Sequence, residues 1–205
     1  MFRAVIERLD GCGIRHMVAG SFASVLHGDT RSTSDIDLVI DPTPASFDCL
    51  LDSFGPEDFY VPRAWALRAL ALREAFKVID LRSTWSIDLY VRKERPFSLS
   101  ELERRLPARI FDVDLFVATP EDVVLAKLEW ALGGPDRDRT GDAHQDDGTP
   151  PPRIQSERQL EDAVGVLRRS AGLLDHAYLD RWAAELDVAP VLQIARRMAD
   201  PQALG

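Results

Sequence analysis

Asp35 and Asp37 stand two residues apart in the run Asp35-Ile36-Asp37-Leu38-Val39-Ile40-Asp41, which alternates polar and apolar residues. Such alternation marks a half-buried β-strand, in which residues i and i+2 point to the same side. Two carboxylates sharing one sheet face repel each other unless a cation lies between them, and hard oxygen ligands of this kind suit Mg²⁺. Upstream, Gly20-Ser21 closes an apolar run and opens a short helical segment. At such a bend, backbone N–H groups and a small hydroxyl can hold a phosphate, and glycine permits close approach. A phosphate cradle beside a two-carboxylate cation site is the minimum apparatus for phosphoryl or nucleotidyl transfer.

The elements that must position these residues are legible from periodicity. Phe2, Val5, Ile6 and Leu9 predict an amphipathic helix over 2–10, and 14–19 reads as a buried strand. Residues 22–27 read as a short helix, 28–34 as a polar loop and 35–41 as a strand. Helices are expected at 45–54 and 63–75. Residues 76–81 and 85–91 suit a hairpin, 100–106 a short helix, and 108–118 one or two strands. Thr119-Pro120-Glu121-Asp122 has the character of a helix start, and Gly133-Gly134 ends that helix near Leu132. Residues 134–155 hold almost no large apolar side chain and predict a mobile polar insertion. Three further helices are expected at 156–170, 175–187 and 190–199. The fold class is therefore α/β (α+β), with an α/β unit over 1–118 and a helical subdomain over 119–205.

The pattern apolar-Gly20-Ser21, thirteen residues, then Asp35-Ile36-Asp37-Leu38 resembles the signature of the DNA polymerase β-like nucleotidyltransferase superfamily. The resemblance implies a small mixed β-sheet core with flanking helices, followed by a helical bundle. It also implies a third carboxylate on a neighbouring strand, for which Asp88 in Ser86-Ile87-Asp88-Leu89-Tyr90 is the match. The implied reaction is attack of a hydroxyl on the α-phosphate of an NTP, with two Mg²⁺ ions (or Mn²⁺) held by Asp35, Asp37 and Asp88, and with Asp88 as base as well as ligand.

A narrower resemblance spans nearly the whole chain. Arg31-x-Thr33-x-Asp35-x-Asp37, then Pro120-Glu121-Asp122 with Leu125-Ala126-Lys127-Leu128-Glu129-Trp130, then Ser156-Glu157-Arg158 through Asp162, are similar to the AbiEii-type toxin nucleotidyltransferases. That group implies Lys127 and Asp162 as residues of the catalytic cleft. Lys127 would bind triphosphate and stabilise charge on the phosphoryl group, and Asp162 would position the lysine or the acceptor. Arg31 and Thr33 become candidate phosphate contacts beside Gly20 and Ser21. The implied partners are an NTP, a tRNA 3′ end as acceptor and a cognate antitoxin. Two departures from the pattern are the polar insertion before the second helical motif and Glu161, where relatives often carry arginine. Still open are a small-molecule (aminoglycoside-like) or protein acceptor, and a non-catalytic nucleotide-binding module.

Composition narrows the alternatives. The 205 residues are 45% hydrophobic and carry 25 basic against 34 acidic side chains, a net charge of -9. A packed core is expected, and whole-surface attraction to nucleic acid is not. Residues 92–109 are a local exception, with Arg92, Lys93, Arg95, Arg104, Arg105 and Arg109 against Glu94, Glu101 and Glu103. Apolar runs are too short for a membrane span, and the opening residues do not resemble a signal peptide. Cys12 and Cys49 are the only cysteines, so neither a disulfide framework nor a cysteine zinc site is expected, and the cytoplasm is the default compartment. The four histidines lack metal-ligand spacing. Asp80 is the rival third carboxylate, Asp112 and Asp114 suggest a hairpin corner, and Asp41 before Pro42 suggests a turn. Trp65, Trp85, Trp130 and Trp182 are expected to anchor the core.

Overall fold

A computed structural model describes residues 1–27, 36–83, 85–110, 112–137 and 153–200. Arg31, Thr33 and Asp35 lie outside the described residues, as do residues 138–152 of the expected insertion. The chain divides into two compact units, Met1–Ala23 with Thr33–Thr119, and Ser24–Ser32 with Pro120–Gly205.

The first unit begins with helix α1 (Phe2–Gly11), strand β1 (Arg15–Ala19) and helix α2 (Gly20–Leu26), which runs on into the second unit. Strand β2 (Ile36–Asp41) leads to α3 (Pro44–Ser53), whose start is fixed by Thr43 and Ser46 in a reciprocal capping box. Next come β3 (Phe59–Tyr60), α4 (Arg63–Leu72), and the hairpin β4 (Ala75–Asp80) and β5 (Ser86–Val91). Helix α5 (Pro96–Arg104) and the hairpin β6 (Leu106–Ile110) and β7 (Val113–Val117) complete the unit. The strands form one mixed sheet in the order β3-β4-β5-β2-β1-β7-β6. Asp112, at φ 59°, makes the β6–β7 corner.

Alternation decides the faces. In β2, Ile36, Leu38 and Ile40 are buried while Asp37, Val39 and Asp41 are half-buried. In β5, Ile87, Leu89 and Val91 are buried while Ser86, Asp88 and Tyr90 are half-buried. The two strands pair in parallel with Ile36 beside Ile87 and Leu38 beside Leu89. The apolar sets thus meet on the core face, where Phe76 of β4 packs edge-on against Phe47 of α3, 5.4 Å between ring centroids. A one-residue slip would turn every one of these side chains to the wrong side, so burial itself sets the register.

The second unit is helical. Its α6 (Pro120–Ala131), α7 (Glu157–Arg169), α8 (His176–Glu185) and α9 (Ala189–Ala199) surround a core in which α6 is buried on most of its circumference. Gly133 and Gly134 follow α6 at φ 109° and 95°, a conformation L side chains rarely adopt, and stop the helix. Ser156 caps α7 and Asp175 caps α8, each accepting a backbone N–H.

Two expectations are corrected. Cys12, at the end of α1, and Cys49, in α3, are joined in a disulfide with Cα atoms 5.9 Å apart. A single pair separated by 37 residues has no spacing pattern to read; only the packing of α1 beside α3 brings the thiols together. Of the four tryptophans, only Trp182 is buried; Trp65, Trp85 and Trp130 are 74%, 55% and 48% exposed. Helix α4 turns the small residues Ala66 and Ala69 inward, which leaves Trp65 outside. Trp85 lies in the β4–β5 connection, and Trp130 lies over Gly134. Among the described residues, no helix is long and apolar enough to cross a membrane.

Candidate active site

The register that buries the apolar residues also places Asp37 directly beside Asp88 on the less buried face. Their neighbours in the same row are Ala19 of β1, opposite Asp37, and Lys77 of β4, opposite Asp88. Lys77, Asp88 and Asp37 therefore stand in line across three strands. The Lys77 Nζ lies 2.8 Å from Asp88 Oδ1 and 2.8 Å from Oδ2, and 3.4 Å from Ser86 Oγ. Sequence reasoning missed Lys77, although the hairpin that pairs Ile79 with Ser86 necessarily pairs Lys77 with Asp88.

Gly20 follows Ala19 with φ 59° and begins α2. A Cβ built there would fall 1.9 Å from Asp37 Oδ2 and 2.7 Å from its Cγ. The carboxylate is thus packed onto bare backbone, and only glycine meets both the left-handed φ and the lack of space. Ser21 takes the next position, in the first turn of α2. The group in the first unit therefore consists of two carboxylates side by side, a glycine against one of them and a serine at a helix start. That donor set fits a divalent cation, whose charge would offset the repulsion between adjacent carboxylates. Among the described residues, no group of three or more His, Cys, Asp or Glu side chains is arranged to hold a metal ion; Asp35 is not among them.

Lys127 and Asp162 belong to the helical unit, on α6 and α7. The Lys127 Nζ donates to Asp162 Oδ2 at 2.7 Å, and both side chains are almost fully buried. The other charged groups buried on α6 are partnered within the same unit. Asp122 Oδ1 accepts from the Tyr178 hydroxyl at 2.6 Å, Glu121 Oε1 accepts from the Asp175 N–H at 2.9 Å, and Glu129 faces Arg137 at 3.8 Å. Charges buried this deeply persist only when paired. Lys127 and Asp162 lie 35 residues apart with the polar insertion between them, yet the α6–α7 packing joins them.

The remaining carboxylates find local roles. Asp80 is buried and accepts the N–H groups of Arg82 at 2.8 Å and Ser83 at 3.2 Å, which closes the β4–β5 turn. The Arg82 N–H, with that of Ser83, holds its carboxyl below the ordinary aspartate value near 3.8, against the opposing effect of burial. Its row-mate in β3 is Phe59, on the core face, so it does not join the Asp37–Asp88 row. Asp41 ends β2 as an ion-pair partner of Arg15 and Arg92, at 2.5 Å and 3.0 Å, and not simply as a turn residue. Asp112 and Asp114 sit at their hairpin corner near Arg109. Within the basic stretch, Arg92 is taken up by Asp41, and Arg105 stacks 4.4 Å over the Phe116 ring.

No family model matches the chain, and no curated protein matches it. Among solved structures, an antigenic nucleotidyltransferase-like protein from Paracoccidioides brasiliensis is similar, with 18% identity, TM-score 0.46, and coverage of 92% of this chain and 90% of that one. The antibiotic-resistance factor ANT(2'')-Ia has 13% identity, TM-score 0.46, and coverage of 90% and 92%. JHP933 from Helicobacter pylori has 12% identity, TM-score 0.38, and coverage of 99% and 90%. At these values the function has to be read from the residues of the site themselves.

Proposed function

We propose that the chain is a divalent-cation-dependent nucleotidyltransferase that moves an NMP from an NTP to an acceptor hydroxyl. The observation that carries this reading is the in-register placement of Asp37 beside Asp88, with Asp37 packed against the Gly20 backbone. Asp37 and Asp88, with Asp35 two residues upstream, would hold two Mg²⁺ ions, or Mn²⁺ in their place. Bound there, such ions would neutralise triphosphate charge and acidify the acceptor hydroxyl.

The acceptor oxygen forms a bond to the α-phosphorus while the bond to the bridging oxygen breaks, and pyrophosphate leaves. Asp88 takes the hydroxyl proton. Gly20 and Ser21, with Arg31 and Thr33, hold phosphate oxygens. The motif resemblance also supports Lys127, paired with Asp162 at 2.7 Å within the helical unit, as a triphosphate-binding group. The motif resemblance further supports an AbiEii-type toxin acting on a tRNA 3′ end, held in check by an antitoxin.

The test is incubation of the purified protein with Mg²⁺, α-labelled NTPs and separate RNA, protein and small-molecule pools. Label retained in RNA, and its loss in Asp37→Ala, is the expected result. Label in another pool keeps the reaction and changes the acceptor. Nucleotide binding without product, or labelling that survives Asp37→Ala, refutes the reading.

A further inference from the structure

We infer that Lys77 is a resident counter-ion of the carboxylate pair, displaced from Asp88 when a divalent cation binds, and that it thereby sets the site's cation affinity. This rests on the cation site proposed above. Three observations carry it. First, the Lys77 ammonium lies 2.8 Å from each Asp88 oxygen, so it occupies the chelating edge that a cation held by both oxygens would need. Second, Lys77, Asp88 and Asp37 are consecutive in one row, so one positive charge stands at the end of two adjacent negative ones. With no divalent cation bound, Lys77 is a charge placed to offset the Asp88 carboxylate. Third, the Lys77 side chain is 47% exposed and Asp88 24%. An ion pair this open, on a flexible four-carbon stem, is weakly held and can be exchanged. Ser86 Oγ, already 3.4 Å from the ammonium, offers a nearby alternative partner.

The residue is thus a positioning and affinity-setting group that acts through Asp88, and its removal should strengthen cation binding. An ordinary structural ion pair would leave binding unchanged. The experiment is titration of the full chain with Mn²⁺, free ion counted by electron paramagnetic resonance, with no nucleotide present. Lys77→Met keeps the length of the side chain and removes its charge; if it does not fold, Lys77→Gln replaces it. The expected result is Mn²⁺ binding tighter by up to about fivefold, since an open ion pair is worth at most ~1 kcal/mol. Lys77→Arg should stay near the wild type. In an Asp88→Asn background, removing Lys77 should have no further effect.

Mn²⁺ affinity of Lys77→Met equal to or below that of the wild type overturns the inference. If the wild type binds Mn²⁺ and Asp37→Asn abolishes binding while Lys77→Met changes nothing, only the role of Lys77 falls. If neither wild type nor Lys77→Met binds Mn²⁺, the proposed cation site falls, and this inference with it.

Discussion

Replacing Gly20 by alanine adds one methyl group where the structure has no room for it. Its Cβ would lie 1.9 Å from Asp37 Oδ2 and 2.9 Å from Asp37 Cβ. To reach ordinary contact of about 3.5 Å, the carboxylate oxygen must retreat by roughly 1.6 Å. The residue must also keep φ 59°, which costs an L side chain about 1–2 kcal/mol. For a chain of this size each kcal/mol moves Tm by about 2–4 °C, so Gly20→Ala should melt roughly 2–8 °C lower. Catalysis should suffer far more than stability, because a displacement of about 1 Å in a reacting constellation can cost ~10²-fold. The assay is label transfer from an α-labelled NTP, paired with a thermal melt and far-ultraviolet circular dichroism. The double variant Gly20→Ala/Asp37→Ala should be no slower than Asp37→Ala alone, because both changes act on the same carboxylate. A Gly20→Ala protein with wild-type turnover and Mn²⁺ binding would refute the reasoning, since Asp37 would then not need to lie where the structure has it.

Three other outcomes follow from the packing. The Asp80 carboxyl titrates below its ordinary value because folding gives it the Arg82 and Ser83 N–H groups. Its stabilising effect is therefore fully present above the unfolded-state value and is lost as pH falls through the lower folded one. Urea melts across pH 2–6 should show Asp80→Ala less stable than the wild type at pH 6, with the gap narrowing as the pH falls below the ordinary aspartate value near 3.8. Asp162→Ala removes the carboxylate 2.7 Å from the buried Lys127 ammonium and should cost about 3–5 kcal/mol in urea unfolding, whereas Lys127→Met/Asp162→Leu should cost less than either single change; additive losses would contradict the pairing. Cys49→Ser, or reduction of the wild type, opens a crosslink spanning 37 residues and should destabilise the first unit by about 2–4 kcal/mol; identical melts with and without reductant would count against the bond.

Much of this protein follows from local pattern. The alternation in residues 35–41 and 85–91 and the helical periods at 2–10 and 156–170 define elements because burial of one face is a property of the sequence itself. The same alternation puts Asp37 and Asp88 on the polar side of their own strands before any pairing is known. Gly20-Ser21 marks the bend because few other residues tolerate it. Tertiary structure alone decided which strands became neighbours. Asp88, and not Asp80, joined Asp37 because β5 pairs with β2 while Asp80 is spent on its own turn. Packing likewise brought Lys127 onto Asp162 and Cys12 onto Cys49, and left three tryptophans in solvent. Each of these depends on contacts between residues distant in the chain, whose cost is loop closure and whose gain is shared burial, and neither quantity is written in the spacing of the residues themselves.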